Sequence, residues 1–204
     1  MRFSPKSKIF APFAVITLIA AAVLIYASTI EAPFVYDDDG YIVEDSAIYM
    51  VDFDLASLKK AALEGKPKNR LLPNISFAVN YYFGRLSPEG YHAVNIGIHI
   101  LTAVLLFFFC RDTLALYAGF RKSEFSGPGA DFNKDTSQAA LIAFFAALIW
   151  LAHPVNTSAV TYIVQRMTSL AAFFYILSLL LYVQGRCRWQ DNGKCRPAAG
   201  FLLF

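Results

Sequence analysis

Four apolar stretches divide the chain into candidate membrane spans separated by polar segments. The first stretch, Ile9 to Ile30, contains 22 residues without a charge. A helix rises about 1.5 Å per residue, so this length crosses a hydrocarbon core of about 30 Å. The run also exceeds the apolar part of a signal peptide, about 7–15 residues, which favours an uncleaved span. Further spans are predicted over residues 91–117, 139–152 and 159–184.

The longest polar segment, residues 31–90, is predicted to carry two short helices that do not cross the membrane. Asp54 is suited to cap an amphipathic helix over about 54–64, which Gly65 and Pro67 would end. The apolar stretch 73–83 would reach only about 16 Å as a helix, so it is expected at the membrane interface, where Tyr and Phe are favoured. The other predicted segments are a tail (1–8), loops (118–138 and 185–197), a turn (153–158) and the start of a truncated fifth span (198–204).

The distribution of basic residues predicts the orientation. Ten of the 18 Lys and Arg residues lie in the tail and in the segments that follow the second and fourth spans, all on one side of a four-span chain. The positive-inside rule makes that side cytoplasmic. The segment 31–90, with ten acidic and six basic residues, and the turn 153–158 are then extracytoplasmic.

Composition supports this class. The chain is 57% hydrophobic and 16% charged, more apolar than a soluble domain of this size needs. We therefore expect an all-α, polytopic transmembrane helical bundle with short interfacial helices in its first extracytoplasmic loop, and a lipid bilayer as its surroundings. No basic run interleaved with aromatic residues indicates nucleic-acid binding. The three cysteines lack the spacing of a metal site or a disulfide framework.

The acidic run Asp37, Asp38 and Asp39 follows the first span closely. Adjacent carboxylates repel each other, so one of them should have a raised pKa or be matched by a cation, and either condition suits general-base or metal-binding chemistry. A divalent cation held by these three residues is the one cofactor that the run suggests. An ordinary solvated acidic loop is the alternative.

Several polar residues occur at membrane depth. His92, Asn95 and His99 are spaced by three and four, which places them on one stripe of the second span. They either bond neighbouring helices or line a wet cavity. Arg166, predicted about two turns into the fourth span, either reaches the headgroups or binds a phosphate. Arg70 is a second phosphate candidate, and His153 marks the turn before the fourth span.

Common soluble active-site motifs are missing. No Gly-rich phosphate loop, His-Glu-x-x-His zinc motif or G-x-S-x-G elbow occurs in the sequence. We therefore expect a substrate that comes from the membrane.

Several motifs, spread along nearly the whole chain, resemble in their order and spacing the transmembrane and tetratricopeptide-repeat proteins. These are O-mannosyltransferase-like enzymes of the GT-C superfamily, and the resemblance is to their bacterial relatives in particular. The motifs are the Asp pair within Phe34–Ile42, Asn69-Arg70-Leu71, Phe77 with Asn80, Gly90-Tyr91-His92 with Asn95 and His99, His153-Pro154-Val155, and Ala159-Val160 followed by Arg166.

The resemblance implies a GT-C-like enzyme that transfers a sugar, mannose in this family, from a polyprenyl-phosphate donor to a protein Ser/Thr or glycan hydroxyl outside. Asp37 and Asp38 would be catalytic, deprotonating the acceptor or holding the cation. Arg166 and Arg70 would stabilise the leaving phosphate. His92, Asn95, His99 and His153 would shape the donor pocket. The location would be a bacterial inner membrane, or the endoplasmic reticulum in a eukaryote.

Two departures keep other functions open. Relatives commonly carry Glu five residues after the His of the His-Pro turn, where this chain has Ser158. Relatives also continue into further spans and tetratricopeptide repeats, so the chain is expected to be the front part of such an enzyme. A non-catalytic membrane scaffold of the same fold is one alternative, and a transport path along the His stripe is another.

Overall fold

The computed structural model describes residues 5–125 and 132–191, and these residues are helical with no β-strand. The α-helices are α1 (Pro5–Tyr26), α2 (Leu55–Glu64), α3 (Leu71–Gly84), α4 (Pro88–Phe125), α5 (Phe132–Ala152), α6 (Thr157–Thr161) and α7 (Arg166–Asp191). Short 3-10 turns occupy Ala27–Thr29, Ser46–Ile48, Pro154–Asn156 and Ile163–Gln165, and a π turn occupies Asp39–Val43.

Helices long and apolar enough to cross a membrane run over Ile9–Thr29, Pro88–Ala118 and Ile163–Arg186 within the described ranges. A fourth crossing is formed if Thr136–Ala152 and Pro154–Thr161, which bend by 51° at their junction, act as one span. Large apolar side chains such as Leu24 and Ile149 are exposed on these helices, as lipid contact requires. The prediction of an all-α membrane protein is confirmed.

Helix boundaries differ from the predicted spans in two ways. First, helices continue beyond the predicted spans: α1 begins at Pro5, inside the predicted tail, and α7 ends at Asp191, inside the predicted loop 185–197. The helix α4 continues to Phe125 and α5 begins at Phe132, so most of the predicted loop 118–138 is helical. Hydropathy marks where a helix leaves the membrane, whereas Ala, Arg, Lys and Glu after that point still favour helix. The predicted fifth span, 198–204, lies outside the described residues.

The second difference concerns Arg166. The fourth span is not continuous, because Tyr162 has an extended backbone (φ −93°, ψ 113°) between α6 and the last 3-10 turn. Arg166 therefore begins α7 instead of lying two turns inside a helix. We call residues 162–165 the helix break.

The helices fall into two compact units, and the first is built from the described residues of 5–18, 102–149 and 174–191. In this unit Phe10 packs edge-on against Phe144 with ring centroids 5.8 Å apart. Asp112 is buried, accepts hydrogen bonds from the Arg111 guanidinium and lies 3.3 Å from the Gln184 amide nitrogen. This membrane-depth carboxylate is therefore paired, as burial requires.

The second unit, Ile19–Leu101 with Trp150–Phe173, contains the polar loop and every predicted site residue. Its core joins the loop to α2, α3 and α4 through buried apolar side chains, including Ile42, Ile48, Phe77, Tyr91 and Ile163. The Asp54 carboxylate caps α2 by accepting from the Ser57 N–H at 2.7 Å, and this hydrogen bond lowers the Asp54 pKa. Stacking of Tyr49 on Tyr81, with centroids 4.3 Å apart, ties the loop to α3.

Gly65, which ends α2, is expected to tolerate no side chain. An added Cβ would lie 2.4 Å from the Ala61 carbonyl oxygen and 2.9 Å from the Asn74 amide nitrogen, so backbone must shift. We expect Gly65→Ala to destabilise the protein by roughly 1–3 kcal/mol, the usual cost of overpacking. Gly97→Ala, whose Cβ would meet nothing within 4 Å, is the matched control. Thermal unfolding in detergent should show a lower midpoint for Gly65→Ala than for Gly97→Ala, and equal midpoints would contradict this packing.

Candidate functional site

The three adjacent aspartates do not share one environment. Asp37 and Asp39 are exposed, whereas the Asp38 side chain is 1% exposed. Tyr36, just before them, has φ 51°, a left-handed conformation that is rare for a non-glycine residue. This turn immediately precedes the acidic run, in which the side chain of Asp38 alone is buried.

The Asp38 carboxylate ties the acidic segment to the helix break. Its Oδ1 accepts from the Val164 N–H at 2.8 Å, and its Oδ2 accepts from the Val35 N–H at 3.2 Å. Burial raises the Asp38 pKa, and these two hydrogen bonds oppose that shift. Because both oxygens are used as acceptors inside the protein, Asp38 is arranged as a structural tie.

We expect Asp38→Asn to destabilise the protein. The amide has the same shape but only one oxygen, so its NH₂ group would face the N–H of either Val35 or Val164. Leaving a buried donor unsatisfied costs roughly 1–3 kcal/mol. Thermal unfolding in detergent should show a clear fall in midpoint for Asp38→Asn and little change for Asp39→Asn, because the Asp39 side chain is exposed. A midpoint equal to wild type in Asp38→Asn would contradict the tie.

Of the predicted catalytic pair, Asp37 and Asp38, Asp37 is the residue with an exposed carboxylate. Its backbone N–H donates to the Tyr162 hydroxyl at 3.1 Å. The Tyr162 ring packs edge-on against the exposed Tyr36 ring, with centroids 6.4 Å apart. The helix break therefore holds the Asp37 backbone while its side chain stays accessible to a substrate.

The polar stripe of α4 is buried, and its three members reach different partners. The His92 Nε2 lies 3.0 Å from the Ala32 carbonyl oxygen and must donate to it, while its buried Nδ1 has no hydrogen-bond partner. Asn95 faces the helix break and Arg166. The His99 Nε2 lies 3.1 Å from the Leu151 carbonyl oxygen, and its ring stacks on Trp150 with centroids 4.7 Å apart.

Arg166 is fully buried in a cradle of neutral oxygens. Its Nε donates to the Asn95 Oδ1 at 2.7 Å, its Nη1 to the Asn80 Oδ1 at 2.6 Å, and its Nη2 to the Tyr91 carbonyl oxygen at 2.9 Å. The Ser76 carbonyl and hydroxyl lie 3.2 and 3.3 Å from Nη1. The guanidinium therefore presents no face to a phosphate in this structure, which differs from the expectation of a direct phosphate contact.

The Asn95 amide also binds carbonyl oxygens at the helix break. Its Nδ2 lies 3.4, 3.3 and 3.2 Å from the carbonyl oxygens of Val160, Tyr162 and Ile163. At the break the Tyr162 and Ile163 carbonyls accept backbone hydrogen bonds from the Gln165 and Arg166 N–H groups. Asn95 thus adds side-chain hydrogen bonds to carbonyls that the break has already paired in part.

Two predicted site residues lie apart from this network. Arg70 is exposed at the residue before α3. His153 is exposed and caps the turn after α5, with its Nδ1 accepting from the Val155 N–H at 3.2 Å. Neither has a hydrogen bond to the cluster of Asp38, Asn95 and Arg166.

Sequence reasoning did not assign a role to Tyr162, Ser76 or Asn80 at this site. The last two had a signal, because Ser76 and Asn80 are spaced by four and share one face of the otherwise apolar α3. Tyr162 had none, since its role depends on the break.

The described residues contain no group of three or more His, Cys, Asp or Glu side chains arranged to hold a metal ion. The run Asp37, Asp38 and Asp39 does not form such a group, and the Asp38 oxygens accept hydrogen bonds from backbone N–H groups. The site therefore consists of the exposed Asp37 carboxylate next to a buried hydrogen-bond network that includes Asp38, Asn95 and Arg166.

These features define an all-α integral membrane protein with a polar site in its first large loop. Its relatives are named protein O-mannosyl-transferases. The chain is 27% identical to Tmtc3 of Drosophila melanogaster over 193 residues, which is 90% of this chain and 20% of that protein. It is 28% identical to mouse TMTC1 over 197 residues, covering 92% of this chain and 18% of that protein. It is 30% identical to tmtc2 of Xenopus laevis over 175 residues, covering 81% of this chain and 18% of that protein.

The chain thus spans about a fifth of the length of these relatives, all three of which are animal proteins. No protein-family profile matches the chain, and no solved structure matches it. The bacterial relationship, the GT-C assignment and the tetratricopeptide repeats stay predictions.

Proposed function

We propose that the chain belongs to the O-mannosyl-transferase family of its relatives and contributes the acceptor-activating site of a membrane glycosyltransferase. The enzyme would transfer mannose from a polyprenyl-phosphate donor to a protein Ser/Thr or glycan hydroxyl on the extracytoplasmic side. The observation that carries the proposal is the exposed Asp37 carboxylate, on a residue whose backbone N–H donates to the Tyr162 hydroxyl shortly after the first span. The similarity to named O-mannosyl-transferases supplies the sugar and the protein acceptor.

In this proposal the N-terminal tail is cytoplasmic and the loop after α1 is extracytoplasmic. The basic residues of the tail and of the segments after the second and fourth spans support this orientation through the positive-inside rule. The donor's isoprenoid chain would lie in the bilayer, and its phosphate would reach the headgroup level near the same loop. The membrane would be that of the endoplasmic reticulum in a eukaryote or the inner membrane of a bacterium.

The reaction assigned to Asp37 is general-base catalysis. The carboxylate takes the proton of the acceptor hydroxyl while that oxygen forms a bond to C1 of the sugar. The bond between C1 and the phosphate oxygen breaks, and its electron pair leaves with the polyprenyl phosphate. An exposed carboxylate with a fixed backbone fits this role, because a general base must be both accessible and positioned.

Other predicted site residues have supporting roles in this proposal. His92, which is buried and whose Nδ1 has no hydrogen-bond partner, would shape the donor pocket from within the protein. Asn95 would keep the helix break in place through its hydrogen bonds to the Tyr162 and Ile163 carbonyls. His99 and His153 would shape the donor side, and Arg70, which is exposed, is the cation available to meet the donor phosphate.

The proposal is tested by the reaction itself. The protein from its native membranes is reconstituted in liposomes with polyprenyl-phosphate mannose and a Ser/Thr-containing peptide, and the mass of the peptide is measured. We expect addition of one hexose, and no addition when a nucleotide-linked mannose is the sole donor. An unchanged peptide mass with the lipid donor, in liposomes where the protein is folded and inserted, would refute the proposal.

A non-catalytic scaffold of the same fold is the second candidate. The observation that favours it is Ser158, exposed in α6 at the position where the resemblance predicts Glu. A scaffold would neither bind the mannose-phosphate lipid nor modify the peptide. Restoring the acid with Ser158→Glu would raise transfer in an impaired enzyme and would leave a scaffold inactive.

A further inference from the structure

A continuous path of hydrogen bonds runs from the buried Arg166 to the exposed Asp37. We propose that Arg166 is a positioning residue for the Asp37 carboxylate and that it acts through Asn95 and Tyr162, without touching substrate. This inference rests on the proposed function in so far as Asp37 is the acceptor-activating group. It replaces a phosphate-binding role for Arg166.

The first step of the path is a guanidinium with a fixed position. It is closed off from solvent, and each of its three nitrogens donates to a protein oxygen. The guanidinium carbon lies 4.6 Å from the Phe77 ring centroid and 5.6 Å from that of Tyr91. Hydrogen bonds in its plane and rings on its faces leave Arg166 little freedom to move.

The second step is the orientation of the Asn95 amide. An amide can turn by 180° and exchange its oxygen with its nitrogen at nearly the same shape. The Arg166 Nε–H donates to the Asn95 Oδ1 at 2.7 Å, which is a charge-assisted contact and specifies where the oxygen lies. The Asn95 NH₂ group must then point to the carbonyls of the helix break. The carbonyls of the break favour the same orientation, so Arg166 and the break fix the Asn95 amide together. Without Arg166 the Asn95 Oδ1 loses the donor that holds the amide in place.

The third step connects the break to the acidic segment. Asn95 binds the Tyr162 carbonyl, and the Tyr162 hydroxyl accepts the Asp37 N–H at 3.1 Å. The Asp38 carboxylate provides a second tie to the break through the Val164 N–H. A shift of the break would therefore move Asp37, and a misplacement of about 1 Å at a reacting group is enough to lower a rate about a hundredfold.

Three variants test the path through kinetics. Arg166→Met removes the first step. Asn95→Asp keeps a partner for Arg166 but lacks the NH₂ group that binds the break. Tyr162→Phe removes only the hydroxyl that holds Asp37. Each is expected to lower kcat for mannosyl transfer by about 10- to 100-fold, with KM for the lipid donor and for the peptide within about twofold. Tyr175→Phe, on the exposed face of α7, is the control and should retain the wild-type kcat.

The double variant Asn95→Asp/Tyr162→Phe distinguishes one path from two separate effects. On a shared path its kcat should be no more than about threefold below that of the worse single variant, because the same positioning is lost once. Multiplication of the two single losses would overturn the proposal. A rise in KM for the lipid donor with kcat unchanged in Arg166→Met would also overturn it, since that result indicates contact with the phosphate.

A readout that needs no activity separates this inference from the proposed function. The Asp37 N–H is bonded to Tyr162, so hydrogen exchange of a peptide covering residues 35–39 should be faster in all three variants than in wild type or Tyr175→Phe. If wild type transfers no mannose but the exchange changes as expected, the proposed function fails and the positioning path stands. If exchange in this segment is unchanged in Asn95→Asp and Tyr162→Phe, the path is refuted whatever the activity.

Discussion

Replacement of Asp37 by Asn is expected to lower the rate of mannosyl transfer by about 10²- to 10⁴-fold, the usual contribution of a general base. Asn has the same size and keeps the backbone N–H that donates to Tyr162, so the local structure should persist. What is lost is the basic oxygen that takes the acceptor proton. The measurement is the initial rate of hexose addition to a Ser/Thr peptide at equal amounts of inserted protein.

The neighbouring aspartates provide the contrast for this prediction. Asp39→Asn alters an equally exposed carboxylate two residues away and should keep the rate within about threefold, as expected of a surface substitution. Asp38→Asn should lower thermal stability first, because its carboxylate bonds two backbone N–H groups. A wild-type rate in Asp37→Asn, or a larger loss in Asp39→Asn, would assign the chemistry to another group.

Replacement of Arg166 by Met is expected to have the largest effect on stability, a loss of roughly 3 kcal/mol or more. Two effects compete. Removing a buried charge relieves a desolvation cost of several kcal/mol. Against this, hydrogen bonds to a charged group contribute about 1.5–3 kcal/mol each, and the buried oxygens of Asn80, Asn95 and Tyr91 lose their donors. Because at least three such hydrogen bonds are lost, their loss should outweigh the relief of the desolvation cost.

The control for this prediction is Arg85→Met, which replaces an exposed arginine whose guanidinium carbon lies 5.3 Å from the Tyr81 ring centroid. A surface change of this kind should stay within about 0.5 kcal/mol. Thermal or denaturant-induced unfolding in detergent, followed by circular dichroism, measures both variants. Equal stability of Arg166→Met and Arg85→Met would show that the neutral cradle does not hold the second unit together.

Much of the architecture follows from local sequence patterns. Apolar length alone predicts the spans at Ile9–Thr29 and Pro88–Ala118, because each run is long enough for the hydrocarbon core. The short helix α2 begins after Asp54 and ends before Gly65, and these are residues with recognised capping roles. The break at Tyr162 was not predictable in this way, since it is stabilised by Asn95, which lies 67 residues earlier in the chain.

The candidate site could likewise be predicted from the sequence in part. The spacing of His92, Asn95 and His99 predicts a shared stripe, but partners from other segments decide that Asn95 meets Arg166 while His99 stacks on Trp150. Adjacent aspartates look equivalent in a sequence. The backbone N–H groups of Val35 and Val164 bind the Asp38 carboxylate, whereas the Asp37 side chain stays exposed. Such distinctions depend on tertiary contacts, which no local pattern encodes.

The most direct test of the central claim, that Asp37 lies at an extracytoplasmic reaction site, is chemical labelling at Gly40 followed by the transfer assay. A Cβ at Gly40 meets nothing within 4 Å, so Gly40→Cys should fold normally. Sealed vesicles are treated from the extracytoplasmic side with a membrane-impermeant maleimide, and mannosyl transfer is measured. We predict labelling from that side and a loss of transfer of about tenfold or more relative to wild-type protein treated in the same way. Labelling from the cytoplasmic side alone, or full transfer after complete labelling, would contradict the account.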